Sequence, residues 1–272
     1  MKTKLTVIVD NISDNGIKGE WGLSILAEHC GKQILIDAGG TGLFADNLEK
    51  LGFDINKIDY GVLSHAHCDH GGGIPTFFEK NKTAKFYLRK TAAEDCYGKI
   101  LFIRFYAGLP KGLDKNFHSR IEYIVGDYKL CDGVYLIPHK TEGLEAIGKR
   151  EKMYRCTDKG WIPDDFSHEQ SVVIDTEKGL VIINSCSHGG AVNIINEVKA
   201  TFPDKHIYAL IGGLHLWNKS KQEIESVSHE IEKTGIEYVC TGHCTKNRAY
   251  RIMKNILGSK LEQLRTGLVI EF

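Results

Sequence analysis

Short apolar runs recur along the chain, each closed by glycine or polar residues, and their periods predict its elements. Residues 6–9, 22–27 and 33–37 read as strands. The third is almost continuously apolar and ends in Asp37, ahead of Gly39 and Gly40. Leu43, Phe44, Leu48 and Leu51 then follow a helical period, with Gly52 as the C-terminal stop. Residues 60–64 form another buried strand, which feeds a histidine-rich loop. This β-β-β-α-β order suits a sheet packed under helices better than a doubly wound sheet.

Regularity of the same kind returns after residue 170. Residues 170–175 and 180–184 are strands joined by a polar turn containing Gly179, which predicts a hairpin. A helix over 192–201 and a strand over 207–211 follow, then a helix carrying Ile224, Val227 and Ile231 before Gly235. A strand over 238–240, a helix over 247–257 and a strand over 268–270 close the chain. The second half therefore repeats the plan of the first. The expected fold is α/β, of the α+β type: a four-layer αββα sandwich forming a single domain over 1–272. Residues 90–165 break the pattern. Tyr97, Phe102, Phe105, Tyr106 and Phe117 stand there among glycines and basic residues without a clear period. They predict a loop-rich insertion with its own aromatic cluster, or a cap over the active site.

Charge acts mainly by exclusion. Among 272 residues, 35 Lys and Arg balance 35 Asp and Glu, which argues against a nucleic acid or an anionic membrane as partner. No run approaches the roughly 18 apolar residues of a membrane span, and the opening segment lacks the pattern of an export signal. A cytoplasmic location is expected, where the 8 Cys are mostly reduced thiols. Cys240 and Cys244 come nearest to a zinc-type pair, with His243 between them, but no C-x-x-C framework is present. The basic stretch Lys80, Lys82, Lys85, Arg89 and Lys90 reads as a solvated face or as a contact for a substrate phosphate.

The decisive segment is Ser64-His65-Ala66-His67-Cys68-Asp69-His70-Gly71-Gly72-Gly73. On an extended segment alternate residues point the same way, so His65 and His67 can hold one metal ion together. Asp69 and His70, beyond them in a turn, can face a second ion. The three glycines free the backbone to start a helix close by. Packing alone requires no such cluster.

This H-x-H-x-D-H pattern resembles that of the metallo-β-lactamase superfamily, which implies two αββα-arranged halves with metals at the sheet edge. Ile34-Leu35-Ile36-Asp37-Ala38-Gly39 resembles that superfamily's first motif, whose acid supports the metal loop without ligating. Three later segments resemble one subgroup, which includes a pterin-type synthase beside hydrolase-like relatives. They are Asn184-Ser185-Cys186-Ser187-His188-Gly189-Gly190, Ile211-Gly212-Gly213-Leu214-His215-Leu216 and Thr241-Gly242-His243-Cys244-Thr245. Glu20-Trp21-Gly22-Leu23-Ser24 resembles the subgroup's N-terminal stretch, with Trp21 where a His is expected. Better-known superfamily members carry a His before the second-half hairpin and a bridging Asp after it. Here those positions fall in 164–168 and near His188. The resemblance thus implies His188 in place of the Asp, and Asp165 or His168 in place of the His.

The expected metal ligands are His65, His67, Asp69, His70, His188 and His243, the last two each just beyond a predicted strand. His215 is expected to contact the substrate or transition state, and Asp69 to help position or move a proton. Cys68, Cys186 and Cys244 adjoin these ligands and are expected to point away from them. His29, His118, His139, His206 and His229 are scattered and carry no expected role.

Two divalent ions, zinc first with manganese or iron also suited to such ligands, would lower the pKa of bound water to about 7. The expectation is a metal-dependent hydrolase that uses a metal-bound hydroxide on a small ester, lactone or phosphate-bearing metabolite. The ions can draw in an anionic substrate without a basic surface. The alternatives are a pterin-type synthase releasing pyrophosphate from the same site, and a non-catalytic metal-binding sensor.

Overall fold

The computed structural model of the chain describes residues 2–14, 16–158 and 160–272. These form two seven-stranded sheets and a four-stranded one. The first large sheet runs, in spatial order, Val269–Glu271, Lys4–Val9, Ser24–His29, Lys32–Ile36, Tyr60–Val62, Lys85–Arg89 and Ile121–Ile124. The second runs Leu261–Gln263, Tyr238–Thr241, Ile207–Gly212, Gly179–Ile183, Gln170–Thr176, Val134–Pro138 and Tyr128–Cys131.

Strand alternation explains the layering. Ile25, Ala27, Ile34 and Ile36 of the first sheet meet Val172, Ile174, Val181 and Ile183 of the second in one core between the sheets. The intervening Leu26 and Leu35 face Phe44, Leu48 and Phe77, from the helices Leu43–Lys50 and Ile74–Lys80. Val173, Ile182 and Leu210 face Ile194, Ile224 and Met253, from Ala191–Thr201, Lys221–Lys233 and Lys246–Leu257. Both faces of the central strands are buried, so they read as continuous apolar runs rather than clean alternations. The four-layer αββα sandwich is thus the observed fold. No helix among the described residues is long and apolar enough to cross a membrane.

The stretch 90–165 departs from the loop-rich reading, because strands occupy much of it. Ile121–Ile124, Tyr128–Cys131 and Val134–Pro138 belong to the two large sheets. Asp95–Ile100, Ile103–Tyr106, Met153–Thr157 and Gly160–Pro163 pair into the four-stranded sheet. The expected aromatic cluster is divided. Tyr97 packs on Tyr106 and Trp161, whereas Phe117 stacks on Phe78 of the helical layer and Phe102 is 94% exposed at a hairpin turn. The strands of the small sheet lack a hydrophobic period because most of their side chains are only partly buried on either face, which leaves little pattern to read. The basic stretch is also dispersed. Lys85 pairs with Glu122, and buried Arg89 donates to the carbonyl of Gly126.

Candidate metal centre

In each large sheet a run of neighbouring strands is parallel, and the carboxyl ends of such strands are where sites collect. Asp37 follows Lys32–Ile36, the histidine loop follows Tyr60–Val62, and His188 follows Gly179–Ile183. His215 and His243 follow Ile207–Gly212 and Tyr238–Thr241. Five strand ends, two from one sheet and three from the other, thus converge on one edge of the sandwich. Gln170 joins the sheets there: its backbone N–H donates to the carbonyl of Ser64 and its Nε2 to that of Leu63.

His65, His67 and His188 bring three ring nitrogens within 4.8 Å of one another, and all three residues are buried. His65 Nε2, His67 Nε2 and both ring nitrogens of His188 lack a hydrogen-bond partner. Buried polar atoms are rarely left so. Burial, reinforced by neighbouring imidazoles, pushes His65 and His188 well below the usual histidine value, and His67 down to about 3. Neutral imidazoles with free lone pairs, aimed at a common point, are what a divalent ion requires. These residues fit such an ion.

Beside them lies a second group. His70 Nε2 is 3.1 Å from His243 Nε2 and 3.3 Å from Cys186 Sγ. Asp69 Oδ2 is 3.3 Å from His243 Nε2 and 3.8 Å from His70 Nε2. Donor atoms this close need a cation among them, a proton or a metal. Burial opposes charge on His70, yet Asp69 and Asp37 push it up to about 9. Burial likewise opposes the charge of Asp69, but His70 and His243 hold its carboxyl well below the usual range. Asp69 also retains a little solvent access.

The supporting contacts explain the orientations. Asp37 accepts from the backbone N–H and hydroxyl of Ser64, both at 2.7 Å, and lies 2.8 Å from His70 Nδ1. His70 Nε2 is thereby turned toward the cluster. The Ser64 hydroxyl also sits 2.8 Å from His65 Nδ1. Asp10 accepts the backbone N–H of His243, and Asn11 Oδ1 is 3.2 Å from its Nδ1. The histidine loop packs so closely that a Cβ on Gly72 or Gly73 would lie 2.1 or 2.2 Å from a carbonyl oxygen. Asp37, Ser187, His215 and His243 all hold positive φ without being glycine, a strain that accumulates at functional sites.

All the residues expected from the sequence to ligate are brought together, and His215 adjoins them, its ring centroid 4.3 Å from that of His188. Asp165 is not: it turns outward to Arg155 at 2.7 Å. His168 is buried behind His67, where it bonds Asp164 at 3.0 Å and receives the N–H of Ala66. His67, Cys96, Asp164 and His168 form a further group of close donor atoms.

One expectation about neighbours is corrected. Cys68 is exposed, but Cys186 and Cys244 are buried within the cluster. The turn at Ser187, with its positive φ, ends strand alternation there. His139, given no site role from the sequence, is clamped behind the cluster between Glu169 at 2.5 Å and Glu197 at 3.1 Å. Glu169 in turn accepts the N–H groups of His188 and Gly189. Nothing local in the sequence announces that buttress, whose parts lie dozens of residues apart.

Comparisons with known proteins identify the family. The family model described as metallo-beta-lactamase superfamily matches residues 22–144. The 7,8-dihydropterin-6-methyl-4-(beta-D-ribofuranosyl)-aminobenzene-5'-phosphate synthase of Methanocaldococcus jannaschii is 30% identical over 257 residues, covering 89% of this chain and 85% of that protein. The crystal structure of Tm1679, described as a metal-dependent hydrolase of the beta-lactamase superfamily, superposes with a TM-score of 0.87 at 28% identity over 99% of both chains. The metallo-beta-lactamase fold protein YhfI from Bacillus subtilis shares the fold at a TM-score of 0.58 and 12% identity, covering 100% of this chain and 99% of that one. The chain belongs to the metallo-β-lactamase superfamily.

Proposed function

We propose that this chain is a metal-dependent hydrolase acting on a small ester, lactone or phosphate-bearing metabolite. One ion would be held by His65, His67 and His188, and a second by Asp69, His70 and His243, with Cys186 at hand. The observation that carries the reading is the set of buried, unpartnered imidazole nitrogens on His65, His67 and His188. Zinc suits these donors first, and manganese or iron also suits them.

Divalent ions bound there would supply Lewis acidity, acidifying water and polarising a carbonyl or phosphoryl oxygen. The chain's own groups do the rest. Asp37 and Ser64 hold His70 and His65 in one orientation, so little reorganisation is needed during reaction. Asp69, ionised and partly open to solvent, can accept a hydrogen bond from a water and orient it beside the cluster. His215 has an unpartnered Nδ1 beside His188 and is free to hydrogen-bond a substrate there.

The test is a metal-loaded preparation, assayed by elemental analysis and against a panel of esters, lactones and phosphodiesters. Turnover that falls at least 100-fold in His65→Ala and His188→Ala is expected. Absence of turnover across the panel, with metals bound, would sink the hydrolase reading.

A second reading is supported by the 30% identity, across most of this chain, to a protein named as a synthase. It is a transferase that joins a pterin to a ribofuranosyl-aminobenzene phosphate and releases pyrophosphate. Following pyrophosphate release with that substrate pair separates the two.

A further inference from the structure

We infer that the cavity on the far side of His243 is a subsite for the phosphate group of a small phosphorylated ligand. The inference deepens the proposed hydrolase function and, for its catalytic meaning, rests on that reading. The cavity is about 430 Å³ in volume, and His243, a member of the metal cluster, forms part of its wall. Lys246 and Arg248 supply its charge, Asn11, Asn247 and Gln263 its amides, and no carboxylate lines it. Glu262, the acid next to Gln263, is already engaged by the hydroxyl of Tyr238 and by Arg265.

Among the described residues neither cation pairs with an acid. The Lys246 ammonium rests over the face of Trp21, 3.8 Å from the ring centroid, and that indole packs against His243 at 4.9 Å. Arg248 spends one guanidinium nitrogen on the carbonyl of Lys219 and keeps the others. Lys246 also holds a φ of +61°, a left-handed conformation that costs a side-chain-bearing residue energy and is retained where position matters. The Asn11 amide group donates to the carbonyl of His243 and that of Gln263 to Asn247 Oδ1, so the two cations carry the recognition, and they match the charge of a phosphate.

Two other cavities are chemically different. His188 and His215 line one of about 100 Å³ with Leu214 and Leu216, and its cations Arg150 and Lys219 both pair with Glu151. A larger cavity along the small sheet carries Glu94, Asp95 and Asp158 beside Arg155, and none of the proposed metal ligands is among its lining residues. In a chain of zero net charge, a hollow whose two cations have no acid partner among the described residues, beside the candidate metal centre, therefore selects where the anionic end of a ligand sits.

The experiment is calorimetric titration of inorganic phosphate into metal-loaded protein, with acetohydroxamate present in excess to occupy the metals. The Lys246→Gln/Arg248→Gln double variant should bind phosphate at least 10-fold more weakly than the parent. Lys80→Gln/Lys82→Gln, which removes two distant surface charges, should bind as the parent does. Metal content by elemental analysis should be equal in all three. Equal affinity in the parent and the Lys246/Arg248 variant overturns the subsite, and so does an equal loss in the Lys80/Lys82 variant. Phosphate binding that depends on Lys246 and Arg248, without turnover on any panel substrate, keeps the subsite and removes the hydrolase reading. Turnover with a phosphate affinity indifferent to these residues does the reverse.

Discussion

Asp37 shows how much one side chain can organise. It is fully buried, holds a φ of +59°, and receives hydrogen bonds from the backbone and hydroxyl of Ser64 while orienting His70. A carboxylate can accept all three contacts, whereas an amide of the same size must turn one donor toward another donor. Asp37→Asn is therefore expected to keep the fold and weaken metal affinity by about 10–100-fold, the usual effect of losing such a support. Competition with a chromophoric chelator measures it, and unchanged affinity would remove Asp37 from the role assigned to it. The donor atoms themselves were legible in sequence because His65, His67, Asp69 and His70 crowd into six positions. Cys186 was misjudged because adjacency to a ligand in sequence does not fix which way a side chain turns after a strand ends.

At the scale of elements, the buttress of His139, Glu169 and Glu197 ties three of them together: the end of Val134–Pro138, the start of Gln170–Thr176 and the helix Ala191–Thr201. A Cβ on Gly189 would meet the His139 ring at 2.3 Å, so the His188 turn lies directly against it. Burial disfavours the imidazolium, but the two carboxylates push the pKa of His139 up to about 9. A folded-state pKa above the unfolded value near 6.5 means that this stabilisation is complete below about pH 6.5. It is then lost as pH rises toward 9, at roughly 1.4 kcal/mol per pH unit. Glu169 and Glu197 are both held below the usual carboxylate range, so their contribution fades only in acid. Urea unfolding at a series of pH values should show that alkaline decline, and His139→Gln should flatten it. A decline of equal slope in the variant would assign it to other groups.

For the molecule as a whole, the proposed metal centre would work as a clasp between the sheets. His65, His67, Asp69 and His70 come from the first half of the chain, and His188 and His243 from the second. An ion that binds only the folded chain stabilises it by mass action, by about 2.7 kcal/mol at a free concentration 100 times its Kd. Removing metal with a chelator is expected to lower the melting temperature by several degrees. Amide exchange should then rise chiefly in the loops after Tyr60–Val62, Gly179–Ile183 and Tyr238–Thr241, with the inter-sheet core around Ile25, Ile36, Val172 and Ile183 still protected. Uniform loss of protection, core included, would show that the cluster holds up the whole fold rather than one edge of it.

The amino-acid sequence by itself determined the layers and most of the chemistry. Short continuous apolar runs and helices with a period near 3.6 leave few ways to bury both faces of two sheets. A short histidine-rich loop also carries its meaning in its own spacing. Residues 90–165 stayed obscure because the strands of the small sheet are only partly buried on both faces and so have no period to read. What only the tertiary structure decided is which distant residues meet. Asp165 turns away to Arg155 while Asp164 turns inward to His168, and His139 comes to rest behind His188. Asn11 and Gln263 come to line one hollow with His243, Lys246 and Arg248. Such juxtapositions depend on strand order and on the direction each side chain takes at a strand end, and neither is encoded over the few residues a motif spans.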